Sequence, residues 1–195
     1  MHQDRAVDRY IVHEQFDPVS MINDIVLLIM KVPFDLDQGD HISAGCLSSI
    51  APTPAAPNCY GTGWGTEYDN VYVNRKILSS VMKKVQLHFL EQDPCHKQLL
   101  LMSKSKSSFR PHESLICMNG NQRLDSCEAD SGSPVVCPIS TKPGETRYAV
   151  YGIAVSRTEC NKRPSLQLAA NVPNLRSWVD RKMIDEGLDT KYYTI

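Results

Sequence analysis

The stretch Asp125-Ser-Cys-Glu-Ala-Asp-Ser-Gly-Ser-Pro-Val-Val-Cys137 decides how this chain is interpreted. Ser131 follows an acid and precedes Gly132, and the cysteines Cys127 and Cys137 enclose it. Glycine permits a tight turn, on which successive backbone N–H groups can converge on an oxyanion. A disulfide beside such a turn fixes it to its surroundings. By itself the pattern is typical of a nucleophilic serine and equally of a cross-linked turn, and it leaves both interpretations open.

Four further motifs accompany this serine in a fixed order. They are Asn23-Asp24-Ile25-Val26-Leu27-Leu28, Gly61-Thr62-Gly63-Trp64-Gly65, the segment Cys95–Cys117, and Leu175-Arg176-Ser177-Trp178-Val179-Asp180. With the serine stretch they resemble, over nearly the whole chain, the trypsin-like serine protease family, whose serine motif reads D-S-C-x-G-D-S-G-G-P. The Cys-Pro pair after the serine and the Gly187–Tyr193 end are most similar to the clip-type proteases and protease homologues of arthropods. The resemblance implies an extracellular chain that hydrolyses peptide bonds with a Ser-His-Asp triad.

Composition and charge exclude several other classes of function. The 195 residues are 42% hydrophobic, as in an ordinary globular chain, and the net charge of −1 gives no reason to expect a nucleic acid or an anionic membrane as partner. The apolar run Ile25–Met30 is far shorter than the roughly 20 residues of a membrane span. The scattered histidines His88, His96 and His112 lack metal-ligand spacing, and no glycine-rich phosphate loop occurs, so we expect neither metal nor cofactor.

Short segments rich in Val, Ile, Leu and Tyr, separated by Pro, Gly, Asn and Asp, predict an all-β chain. The expected strands are Tyr10–His13, Asp24–Met30, Asn58–Trp64, Ile77–Leu87, Leu115–Met118, Pro134–Cys137 and Arg147–Ser156. The resemblance implies a chymotrypsin-like double β-barrel with a C-terminal helix and an incomplete first barrel. We therefore expect a peptidase domain over 1–184 that lacks its N-terminal part, followed by a tail over 187–195. Its expected parts are a first-barrel remnant over 1–50, a second barrel over 59–172 and a C-terminal helix over 174–186.

The resemblance also assigns roles to site residues. Asp24 and Ser131 take the positions of the triad aspartate and serine, and the backbone N–H groups of Ala129 and Ser131 take those of the oxyanion hole. Asp125 takes the position that holds a basic substrate side chain, by charge complementarity in a desolvated pocket. Ala129 replaces a glycine, and alanine resists a positive φ at a cost of roughly 1 kcal/mol or more.

The wall of the predicted pocket departs from the family pattern. Where the family reads G-I-V-S-W-G-x-x-C, this chain reads Gly152-Ile-Ala-Val-Ser-Arg-Thr-Glu-Cys160. Arg157 therefore stands where a glycine keeps the pocket mouth open, and a second pocket glycine is missing around Gln167. We predict that Arg157 fills the pocket and that its guanidinium pairs with Asp125.

The triad histidine has no counterpart in the chain. In the chymotrypsin order it precedes the aspartate, so His2 and His13 are the candidates before Asp24. Neither has the Ala-His-Cys context of the family, and His13 resembles the strand just before the aspartate. Without a general base, the Ser131 hydroxyl is a weak nucleophile at neutral pH.

Seven cysteines favour an oxidising compartment, although the first 20 residues do not resemble a signal peptide. We therefore expect the natural start of the protein to lie upstream of Met1. Cysteine counts alone leave the connectivity open. The resemblance implies the pairs Cys59–Cys137, Cys95–Cys117 and Cys127–Cys160. Cys46 is then either a buried free thiol or the anchor of a bridge to another segment or chain, as in clip-type relatives.

Three functional interpretations follow. The chain is a non-catalytic protease homologue that binds extracellular proteins or protease-cascade components, or a part of an active trypsin-like endopeptidase whose histidine lies upstream, or a truncated product without function. The altered residues Ala129 and Arg157 favour the first over the second. The missing strands of the first barrel favour the third, because an open barrel exposes an apolar edge. We predict the first.

Overall fold

A computed structural model describes residues 2–37, 42–54, 58–68, 76–102, 110–120, 130–142, 145–157 and 166–195. These residues form eleven strands and two α-helices: β1 Val7–Val12, β2 Val26–Met30, β3 Cys46–Leu47, β4 Cys59–Gly63, β5 Thr66–Tyr68, β6 Lys76–Leu78, β7 Lys83–Leu90, α1 Gln92–Met102, β8 Leu115–Gly120, β9 Pro134–Lys142, β10 Glu145–Arg157, β11 Leu166–Asn171 and α2 Val172–Asp185. A 3-10 turn, Thr190–Tyr192, follows α2. The expected all-β chain with a C-terminal helix is confirmed.

Six antiparallel strands close into a barrel. They neighbour one another in the order β11, β8, β7, β4, β9 and β10, and β10 pairs again with β11 to close the ring. The two-residue strand β3 adds to the outside of β10 in parallel. One group of buried side chains fills this barrel: Cys59, Leu87, Phe89, Met118, Val135, Cys137 and Ala169. The barrel therefore has a core of its own, as closed sheets require.

The N-terminal part contributes a separate two-stranded sheet of β1 and β2, with Tyr10 opposite Leu28. Its inner face places Ile11 and Leu27 against the cluster that contains Trp178 of α2. Its outer face leaves Tyr10 70% and Leu28 52% exposed. Two strands alone are marginally stable in water, so the sheet depends on its packing against the helix.

Helix α2, expected over 174–186, begins two residues earlier, at Val172, and ends at Asp185, one residue before the expected end. Asn171 precedes it, and Pro173 occupies its first turn, where the missing proline N–H costs nothing. The helix ends before Gly187, whose φ of 70° is a conformation that glycine adopts readily. The N–H of Leu188 then donates to the carbonyl of Met183 at 2.8 Å. This hydrogen bond satisfies one of the carbonyl groups at the end of the helix.

Several elements differ from the sequence expectation, which also did not include the short strands β3 and β5. The single strand predicted over Ile77–Leu87 is split between β6 and β7, which belong to different sheets. Ser79 causes the break, because its hydroxyl donates to the carbonyl of Val81 at 2.7 Å and closes a side-chain turn. Strand β11 was not expected, since its alanines have low strand propensity; it forms because the barrel buries both of its faces.

Candidate functional site

The serine turn is fixed to β10 by backbone hydrogen bonds. The N–H of Gly132 donates to the carbonyl of Ala154 at 2.7 Å, and the N–H of Ala154 donates to the carbonyl of Ser133 at 2.9 Å. Within the turn, the Ser133 N–H donates to the carbonyl of Asp130 at 3.0 Å. Gly132 has a φ of 87°, which explains why glycine follows the serine. Ser131 is thus held exposed at the tip of a rigid turn.

The hydroxyl of Ser131 donates a hydrogen bond to the backbone carbonyl of Val155 at 3.1 Å. Val155 is one of the residues that replace the usual pocket wall, and it is 8% exposed. Within the described parts of the chain, no imidazole forms a hydrogen bond with this hydroxyl. The serine proton is therefore directed to an amide carbonyl, which is not a general base.

The carboxyl group of Asp130 lies against the backbone of Gly63, in the Gly-Trp-Gly motif. A Cβ atom at Gly63 would overlap the Asp130 carboxylate oxygens. The glycine is therefore required by the close approach of an acid, and the two motifs recognised separately in the sequence form one contact. This contact joins the serine turn to the end of β4.

Asp24 lies on a turn that a buried polar network holds in place. The backbone N–H of its neighbour Asn23 donates to the hydroxyl of Ser114 at 3.0 Å, and the Asn23 side chain donates to the carbonyl of Gln15 at 3.1 Å. The Ser114 hydroxyl lies 3.0 Å from Nδ1 of His112. Burial raises the pKa of Asp24 above its ordinary value. No hydrogen bond between these described residues joins Asp24 to Ser131.

Sequence reasoning missed this network. Ser114 is fully buried, and Asn23 is 7% exposed with a φ of 54°. The one sequence signal was the asparagine beside Asp24, because asparagine tolerates this backbone conformation better than most residues. Isolated polar residues such as His112 and Ser114 have no local pattern that predicts their partner.

His13 lies between the β1–β2 sheet and α2, apart from the serine turn. Its ring centroid is 4.9 Å from that of Trp178. The Trp178 indole donates to Glu14 at 2.8 Å, and Glu14 forms an ion pair with Lys182. Burial lowers the pKa of His13, which favours the neutral ring. The other early histidine, His2, forms an exposed pair with Asp4. In the described parts of the chain, neither histidine forms a hydrogen bond with Ser131.

The predicted pocket falls partly outside the described residues. Four predicted residues lie outside them: Asp125, Ala129, Cys127 and Cys160. The same is therefore true of the predicted Asp125–Arg157 pair, the Ala129 oxyanion position and the Cys127–Cys160 bridge. The backbone of Arg157 pairs with that of Gln167. Gln167 is 2% exposed, and its side-chain oxygen has no hydrogen-bond partner among the described residues. A buried carboxamide thus lies in the region where a second pocket glycine was expected.

Two of the three implied disulfides are present in the described residues. Cys59–Cys137 joins β4 to β9, and Cys95–Cys117 joins α1 to β8. Cys46 is a half-buried free thiol on β3. Among the described residues, no group of three or more histidine, cysteine or acidic side chains is placed to hold a metal ion. Neither described helix is long and apolar enough to cross a membrane.

Comparison with known proteins extends over almost the whole chain. A family model described as trypsin matches residues 1–179. Phenoloxidase-activating factor 2 of Galleria mellonella is 28% identical over 194 residues, which cover 99% of this chain and 61% of that protein. Inactive CLIP domain-containing serine protease A8 of Anopheles gambiae is 29% identical, covering 91% and 46%. Inactive CLIP domain-containing serine protease A28 of the same mosquito is 27% identical, covering 97% and 47%. The chain spans about half to three fifths of these relatives.

Proposed function

Because this chain belongs to the trypsin family of serine proteases, we propose that it is a non-catalytic serine protease homologue with a binding or regulatory role in extracellular proteolysis. One observation carries the proposal. The Ser131 hydroxyl donates to the Val155 carbonyl, while the histidine nearest in sequence before Asp24, His13, lies against Trp178.

The chemistry of serine proteolysis explains why this observation supports the proposal. The serine hydroxyl attacks a peptide carbonyl only when a general base accepts its proton, and the same group later protonates the leaving amine. An amide carbonyl performs neither step at neutral pH. Asp24 does not replace the histidine, because its role in a triad is to orient an imidazole.

The names of two relatives, from Anopheles gambiae, support a homologue that does not cleave peptides, since both are described as inactive. The other candidate function is a serine endopeptidase of trypsin-like specificity whose histidine-bearing segment is not in this chain. In its favour, Asp24 and Ser131 keep the triad residue types, and the chain spans 61% or less of these relatives. The two candidates differ in whether a serine-directed reagent labels Ser131, since only an active endopeptidase would have an activated serine.

The substrate pocket is expected to be closed. In this proposal Arg157 pairs with Asp125 and occupies the space that would take a basic substrate side chain. A fluorescent benzamidine, which resembles such a side chain, should bind after Arg157→Gly and not before. Binding by the unaltered chain that is lost on Asp125→Asn would contradict the closed pocket.

Secretion and extracellular partners belong to the same proposal. Two disulfides in the described chain support an oxidising compartment. The partners would be extracellular proteins or components of a protease cascade, and the half-buried Cys46 thiol is available for a disulfide to another chain.

The direct test is labelling with a fluorophosphonate and assay with an arginyl ester. We expect the purified chain to remain unlabelled and not to hydrolyse the ester, with bovine trypsin as the positive control and Ser131→Ala as the matched negative. Labelling that disappears in Ser131→Ala would show an activated serine and would favour the endopeptidase instead.

A further inference from the structure

A cleft apart from the serine turn has the walls of a binding site. It has a volume of about 400 Å³ and lies between the connector after β3, the start of α1, β8 and the start of α2. Pro52, Pro54, Phe89, Leu90 and Pro173 are among its apolar walls. We call it the proline-lined groove. Its volume is within the range of small-molecule and side-chain pockets, and Ser131 does not line it.

Local contacts restrain the walls of the groove. The buried disulfide Cys95–Cys117 forms part of its floor. At the start of the connector, the Ser48 hydroxyl donates to the carbonyl of Ile50 at 3.0 Å and accepts from its N–H at 3.2 Å. Proline rings restrict the connector further. A preformed site loses little conformational entropy on binding, which favours affinity.

The charged side chains lining the groove, Glu91 and Glu113, are both carboxylates. Both residues are exposed, and neither forms an ion pair in the described parts of the chain. The backbone of Glu113 is held on the wall, because the Asn171 amide nitrogen donates to its carbonyl at 2.8 Å. The chemistry of the wall therefore calls for a cationic donor.

The basic groups nearby belong to other clefts. Arg110 and His96 line a small adjoining cleft of about 10 Å³. Arg181 lines a wide polar cleft on the far side of Glu113, which shares Glu113 and Asn174 with the groove. Among the described residues, the groove wall therefore carries no lysine, arginine or histidine that would neutralise its carboxylates.

We propose that the proline-lined groove binds an extended segment of a partner protein through one basic side chain, arginine or lysine. The aliphatic stem packs on the prolines and Phe89, as long cationic side chains do on apolar surfaces. The cationic head donates to the Glu91 and Glu113 carboxylates in charge-assisted hydrogen bonds. This site is independent of the serine turn and of whether Ser131 is reactive.

The test is fluorescence anisotropy of the full chain with a labelled peptide, acetyl-Gly-Pro-Leu-Arg-Val-Gly-amide, and with the same peptide carrying neutral citrulline for arginine. We expect the arginine peptide to bind at least about fivefold more tightly than the citrulline peptide. The double variant Glu91→Gln/Glu113→Gln should weaken arginine-peptide binding about tenfold. Ala51→Trp, on the groove wall, should block binding of the peptide without changing the charge.

Matched control variants distinguish binding in the groove from a general effect of net charge and from binding in the predicted substrate pocket. The double variant Asp37→Asn/Asp185→Asn changes the net charge equally at exposed positions that do not line the groove, and Asp125→Asn removes the acid of the predicted substrate pocket. Both should bind like the unaltered chain. The proposal is overturned if the arginine peptide fails to bind at about 1 mM, if Ala51→Trp and the glutamate variant bind normally, or if a control variant weakens binding equally.

Discussion

Replacing Arg176 by alanine should release the C-terminal tail from the barrel. Arg176 is 8% exposed, and each nitrogen of its guanidinium has a partner. Nε donates to the Asp180 carboxylate, Nη1 to the carbonyl of Leu47 and Nη2 to the Thr194 hydroxyl, each at 2.8 Å. The guanidinium also lies 4.8 Å from the ring centroid of Tyr193. One side chain thus joins α2, β3 and the tail.

The expected loss in the free energy of unfolding is about 3 kcal/mol. Removing one partner of a buried ion pair costs about 3–5 kcal/mol, because the other charge is left without compensation. The lower end applies here, since the Asp180 side chain is 35% exposed and regains water. Asp180 also keeps the hydrogen bond that the Tyr193 hydroxyl donates at 3.0 Å. The three guanidinium bonds are not added, because they share one group.

The measurement is urea unfolding followed by circular dichroism at neutral pH. Arg181→Ala, an exposed arginine on the same helix, is the matched control and should change stability by less than about 0.5 kcal/mol. Arg176→Lys keeps the charge but loses the planar guanidinium group with its several donors, so we expect an intermediate loss in the free energy of unfolding. A loss below about 1 kcal/mol for Arg176→Ala, with the denaturant slope unchanged, would refute the reasoning.

Gly63→Ala should lower the melting temperature, because the added Cβ overlaps the Asp130 carboxylate. The control Gly45→Ala should leave it unchanged, since its Cβ meets only the Val150 side chain, at 3.9 Å. Equal melting temperatures for the two variants would contradict this reasoning. The pKa of Glu14 is lowered to about 2, first by its hydrogen bond with a lysine. The stability that the ionised Glu14 provides is therefore complete above about pH 4.5 and declines toward pH 2. In urea unfolding, Glu14→Gln should lower the free energy of unfolding at about pH 6 and lower it much less at about pH 3. Peptide mapping without reduction should find Cys46 free or joined to another chain; a bond to one of the other six cysteines would contradict the pairing.

Features encoded in contiguous residues could be predicted from the sequence. The nearly continuous apolar run after Arg147 predicted β10, and Gly187 predicted the end of α2, because both signals lie within a few neighbouring residues. The serine turn was predicted from Gly132, whose positive φ a glycine adopts readily. The trypsin family was predicted from motifs that each fit within a few residues.

The family resemblance implied the disulfide between the distant residues Cys59 and Cys137, but the polar contacts that join distant segments could not be predicted. Asn23 and Ser114 are 91 residues apart, and Arg176 and Leu47 are 129 residues apart. No local pattern pairs such residues, because their contact depends on how the barrel closes. Strand β11 was missed for the same reason, since burial on both faces, and not intrinsic propensity, keeps its alanines extended.

The contacts of the serine turn give Ser131 a structural role that does not involve hydrolysis. Its hydroxyl satisfies the carbonyl of Val155, and the N–H of Gly132 satisfies that of Ala154. Replacing Ser131 by alanine would leave a carbonyl on a largely buried residue without this donor, which costs about 1–3 kcal/mol where water does not take its place. The Asp130 carboxylate, packed on Gly63, fixes the other end of the turn. These contacts stabilise the turn whether or not the serine reacts, so the serine alone is not evidence of protease activity.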